Sequence, residues 1–145
     1  MNRFLASALS ALALAGVTGC MTPPPSLDTS LNHPSEKGAF IVALVPPESP
    51  PNINQIHTWQ IKVSSAAGSP VRQAKIAVDG GMPQHGHGLP TRPQVSRELG
   101  DGTYLLEGMK FSMTGWWEIK LAIAAPEGTD KVTFNTIVSP TGAVR

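Results

Sequence analysis

From Gly38 onward, apolar and polar residues alternate with a period of two in segment after segment. His57, Trp59, Ile61 and Val63 share one face of an extended stretch, while Thr58, Gln60 and Lys62 share the other. That spacing marks a strand with one buried face. The same alternation picks out Phe40, Val42 and Leu44, then Ala74, Ile76 and Val78, and, strongest of all, Trp117, Ile119, Leu121 and Ile123. A weaker stretch over 95–99 ends at the turn signal Gly100-Asp101-Gly102, after which 103–108 resumes, and Val132, Phe134 and Thr136 complete the series. The pattern predicts an all-β chain of about seven short strands with turns roughly every ten residues. Two half-buried sheets must cover each other, so the expected architecture is an immunoglobulin-like antiparallel β-sandwich. No helix of any length is predicted.

Composition supports this reading. Fourteen Gly and fourteen Pro in 145 residues suit a turn-rich β fold and not a helical bundle. Eleven basic against ten acidic side chains, with no basic run, give no footprint for nucleic acid. The single cysteine rules out an intramolecular disulfide framework, a CxxC redox pair and a cysteine-rich zinc site.

The N-terminus accounts for that cysteine. Arg3, an apolar run and the small-residue sequence Val17-Thr18-Gly19 before Cys20 read as a secretory signal over 1–19. Val-Thr-Gly-Cys resembles the bacterial lipobox, which implies cleavage before Cys20 and lipidation of its thiol. Met21 in place of Asp implies the outer membrane, facing the periplasm, in a Gram-negative host. Residues 20–37 begin Cys-Met-Thr-Pro-Pro-Pro and carry few apolar groups, so they are expected to form a disordered, Pro-rich tether. The folded domain is expected over 38–145.

Asp101-Gly102-Thr103-Tyr104 resembles a tyrosine corner, in which the phenol bonds back to nearby backbone. The chain has no GxSxG, no HExxH and no phosphate-binding glycine loop, and its carboxylates are scattered. It is therefore not expected to be an enzyme.

The unusual chemistry lies in Gly80-Gly81-Met82-Pro83-Gln84-His85-Gly86-His87-Gly88. An extended His-x-His turns both imidazoles one way only if the backbone bends, which Gly86 permits. Its glycines would also let backbone approach a bound ion. Imidazole suits copper, zinc and nickel, and thioether sulfur favours copper(I), so Met82 biases the site toward copper. Met109 and Met113 bring more sulfur, on one face if the chain between them is extended, although core packing is the commoner fate of methionine. Strand parity places these groups together. If each successive strand reverses direction, the loops at 80–91 and 109–115 and the start of the strand at His57 share one end of the sandwich. Trp117 has core parity, and Trp116 is expected to face outward or cover the rim.

Taken in order, MPQHGHG from Met82, Gly102-Thr103-Tyr104, and FSMTGWWEI from Phe111 resemble the YtkA-like domain of bacterial exported proteins. The resemblance spans roughly 38–138. It implies an immunoglobulin-like sandwich on a lipoprotein and a role in copper delivery during assembly of respiratory oxidase. Its motif positions fall on Met82, His85, His87 and Met113. The expected protein is thus lipid-anchored at Cys20 in the cell envelope, with a copper site drawn from His85, His87, Met82, Met113, Met109 and His57 and a copper-accepting protein as partner. The competing expectation is a metal-free interaction or structural module of the envelope.

Overall fold

The structure, a computed structural model, describes residues 22–49 and 52–140. The signal segment 1–19 and Cys20 lie outside the described residues. Nine strands are present among them: β1 (Asn32–Pro34), β2 (Phe40–Val45), β3 (His57–Ser65), β4 (Lys75–Met82), β5 (His87–Gly88), β6 (Gln94–Gly100), β7 (Thr103–Met109), β8 (Gly115–Ala125) and β9 (Gly128–Val138). They form two antiparallel sheets ordered β1-β2-β3-β7-β6 and β5-β4-β8-β9. The seven expected strands are all there. Without the short edge strands β1 and β5, the orders become β2-β3-β7-β6 and β4-β8-β9, the two sheets of a seven-stranded immunoglobulin domain. No helix occurs among the described residues.

The core is the set that alternation selected. Trp59, Ile61 and Val63 of β3, with Phe40 of β2 and Leu106 of β7 in the same sheet, share one core with Trp117, Ile119, Leu121 and Ile123 of β8 and Val132 and Phe134 of β9. Sandwiches of this type often place a disulfide between the sheets, whereas here large buried rings fill the space. Ile76 and Val78 are only half-buried because β4 lies toward the flank, beside the short β5.

Tyr104 bonds to backbone as expected, but not to nearby backbone. Its buried hydroxyl donates to the Val71 carbonyl at 2.7 Å and accepts from the Ala74 N–H at 3.0 Å. Both lie in the connection that carries the chain from the sheet of β3 to the sheet of β4, so the phenol ties the two sheets. Tyr104→Phe leaves both backbone groups without that partner and is expected to lower stability by about 1–3 kcal/mol, read as a lower urea midpoint at unchanged slope.

The tether is shorter than its composition implied. Asn32, His33 and Pro34 pair with Ala43, Val42 and Ile41, so residues up to 37 contribute a strand and not only a linker. The reason is long-range. His33 packs on Phe134 with ring centroids 4.5 Å apart, and buried Ser35 donates to Asp130 Oδ2 at 2.6 Å. Asp130 also accepts the backbone N–H groups of Lys37, Ala39 and Lys131. Burial by itself would raise its pKa, but these bonds to the carboxylate prevail and hold it at about 2.

Candidate metal site

The histidine loop is a hairpin encoded by its own residues. Pro83 supplies the φ that opens a turn after Met82, whose carbonyl accepts the N–H groups of both His85 and Gly86 at 3.1 and 3.0 Å. Gly86 closes it at φ +66°, a left-handed conformation that favours glycine. His87 then pairs with Met82, and Gly88 with Gly81. The two preceding glycines are required by packing. A Cβ on Gly80 would strike the Glu118 carbonyl of β8, and one on Gly81 would strike the His87 carbonyl of β5.

The turn puts His85 and His87 side by side. Their rings are 5.7 Å apart between centroids, 27° from parallel, and both residues are exposed. Stacked in this way the two lone pairs lie in nearly parallel planes, so binding one ion through both rings requires side-chain rotation, which their exposure allows. The Gly88 carbonyl can only accept, so at 3.3 Å it takes the hydrogen of His87 Nδ1 and leaves Nε2 with a free lone pair. The edge of Trp117, 5.9 Å away, supports the His87 ring from below.

Strand parity correctly brought the six candidate residues to one end of the sandwich, as the pairing of His57 with Met109 and of Met82 with His87 shows. Burial separates them. Met82 and Met109 belong to the core, at 1% and 0% exposure, each ending a strand on its inward face. Met113 is 42% exposed. The expectation that Met109 and Met113 share a face does not hold, because β7 ends at Met109 and the chain bends at 113–114 to enter β8. Met113 is positioned by Trp117, whose Nε1–H donates to its carbonyl at 3.0 Å. One buried indole thus supports both His87 and the methionine loop. Trp116 stays half-buried outside, donating to Asn135 Oδ1 at 3.0 Å.

His57 is a core residue. Its Nδ1 accepts the Trp59 indole N–H at 2.7 Å, so the neutral ring carries its hydrogen on Nε2, which is buried without a hydrogen-bond partner among the described residues. Phe111 packs on it at 5.4 Å and in turn meets Trp117 at 5.3 Å. Burial lowers the His57 pKa to about 4. Between about pH 6.5 and 4 the unfolded chain therefore takes up a proton that the folded chain refuses, and stability falls as pH drops through that window. Asp130 acts lower down: its contribution is present above about pH 3.8 and lost as pH falls toward 2. Stability is expected to decline in two stages on acidification. His57→Gln, which keeps an acceptor for Trp59, should flatten the upper stage alone in urea titrations at stepped pH.

Among the described residues no three His, Cys, Asp or Glu side chains are grouped to hold a metal. The donors left open at this end are two imidazoles and one thioether. Sequence reasoning missed the supporting role of the Phe111 and Trp117 rings: Trp117 read simply as core, and Phe111 entered only as part of the FSMTGWWEI motif. It also missed a bond from Gln84 Nε2 to the Thr22 carbonyl at 2.8 Å, which joins residues far apart in the chain.

Residues 37–122 match the family model described as YtkA-like, a span from just before β2 into β8 that contains the histidine hairpin, Tyr104 and the Met113 loop. No curated protein and no solved structure matches the chain.

Proposed function

The chain belongs to the YtkA-like family, and from that premise and the paired imidazoles we propose a lipid-anchored protein of the cell envelope that binds copper for handling or delivery. The observation that carries the reading is the His85–His87 pair, near-parallel and exposed on a hairpin whose turn is built from their own neighbours. His85 and His87 would supply neutral nitrogen donors, and Met113 a thioether that favours copper(I). Met82, Met109 and His57 pack beneath this set and support it without ligating. No thiolate is needed, so such a site works where free cysteines oxidise. An exposed ion held by few donors exchanges readily, which suits transfer to a copper-accepting protein, as in the assembly of a respiratory oxidase. In a Gram-negative host the protein would sit on the outer membrane, facing the periplasm. No catalytic role is proposed.

The deciding experiment is Cu(I) titration of the chain from Thr22 onward, which contains every described residue, against a competing chelator. One ion per chain is expected. Failure to compete would overturn the copper reading and favour a metal-free interaction or structural module. The anchor has a separate measurement: the membrane-extracted protein should show the mass of a chain beginning at an acylated Cys20, and an unmodified chain retaining 1–19 would overturn it.

A further inference from the structure

Large exposed hydrophobic side chains are not spread evenly over the described residues. Four stand out: Val45, Ile56, Leu99 and Met113. Val45 ends β2, Ile56 precedes β3 and Met113 precedes β8, which places all three at the histidine end, while Leu99 lies at the opposite end beside the turn at 100–102. Ile56 is the most open of them, at 69% exposure. Scattered exposed apolar residues are ordinary, so what counts here is that three of the four share the end that carries the histidines.

The N-terminal segment arrives at that same end and is fastened to it. Leu31 accepts the Leu44 N–H through its carbonyl at 2.8 Å, and Leu31 itself packs against the core. Asn135, which accepts from Trp116, donates its Nδ2 hydrogen to the Asp28 carbonyl at 3.0 Å. Gln84, next to His85, then holds the Thr22 carbonyl at 2.8 Å. The segment 22–31 is therefore a strap lying along the histidine end, not a spacer leading away from the domain. Cys20 is only two residues before Thr22, and two residues reach no further than about 7 Å.

We propose that the histidine end is the membrane-facing end of the domain: the strap turns it onto the phospholipid headgroup layer to which Cys20 is fixed. Val45, Ile56 and Met113 then meet the lipid surface, and His85 and His87 exchange their ion there and not into open solvent. This rests on lipid anchoring at Cys20. It adds an orientation that anchoring alone does not give, since a long free tether would let either end face the bilayer.

The test uses the chain from Cys20 onward, joined through its one thiol to a maleimide lipid in phosphatidylcholine nanodiscs that also carry a gadolinium-chelating headgroup lipid. Paramagnetic broadening of backbone amide signals reads which end is near the bilayer. The nine residues of β3 span about 30 Å, so the two ends are well separated on this scale. Amides at 56, 84–87 and 113 are expected to broaden several-fold more than those at 66–69 and 99–102. Gln84→Ala, which removes the bond to the Thr22 carbonyl, should shrink that contrast, and an unchanged contrast would remove this bond from the explanation. Equal broadening at both ends, or stronger broadening at 99–102, would overturn the proposal. Because the maleimide supplies the anchor, this outcome is independent of cellular processing. Loss of the acyl mass from the native protein would instead strike the anchoring on which the proposal rests.

Discussion

Alanine at both His85 and His87 is expected to weaken Cu(I) binding by about 100-fold or more, since removing even the groups that orient metal ligands costs roughly 10–100-fold. The folded state should barely change. Both side chains are exposed, and the turn that carries them is held by the Met82 carbonyl, Pro83 and Gly86. Urea midpoints of the variant and the parent should therefore coincide while chelator competition separates them. The methionines divide by burial. Met113→Leu is expected to lower Cu(I) affinity because it removes an open thioether, whereas Met109→Leu should leave affinity unchanged with a stability loss under about 1.5 kcal/mol. Parental affinity in the double histidine variant would show that copper binds elsewhere. A loss with Met109→Leu equal to that with Met113→Leu would place the site in the core instead of on the surface.

Trp117→Ala is expected to lower stability by about 3–5 kcal/mol, the range for deleting a large buried ring. Trp117 is fully buried and packs on Phe111, and its Nε1–H donates to the Met113 carbonyl. Against a total of about 5–15 kcal/mol for a domain, that loss is a large share of the stability. The ring also supports His87, so the copper site should loosen before the fold is lost. Trp117→Phe tests that link. It keeps most of the ring volume but drops the bond to Met113, and should weaken Cu(I) binding while retaining most of the stability. Circular dichroism in urea and chelator competition on the same samples distinguish the two effects. A near-parental urea midpoint for Trp117→Ala would show that the ring does not hold the two sheets together.

How far the sequence reaches can be judged from particular residues. Trp117 and Trp116 were separable by parity alone: one side of an alternating strand is buried and the other is not, and the structure buries Trp117 while leaving Trp116 half-buried outside. The same logic placed His57, Trp59, Ile61 and Val63 on the inner face of β3. It could not find β1 or β5, because strands of three and two residues are held by backbone pairing to a neighbour and carry no periodic side-chain pattern. Nor could it divide the methionines. Met82 and Met113 both flank motif residues, but only the position where β4 ends and the bend at 113–114 decide that one is covered and the other open.

What the sequence determined by itself is local: which segments are strands, which face of each is apolar, and how Pro83 and Gly86 turn the histidine hairpin. Strand parity even carried that information to the shared end, since reversing direction at each loop is a counting rule that needs no coordinates. What only the tertiary structure decided is which side chains at that end are accessible, and where the N-terminal segment lies. Burial depends on what packs from the other sheet, and the bond between Gln84 and Thr22 spans 62 positions. No periodicity encodes a contact of that separation, because it forms only once both sheets and the hairpin are in place.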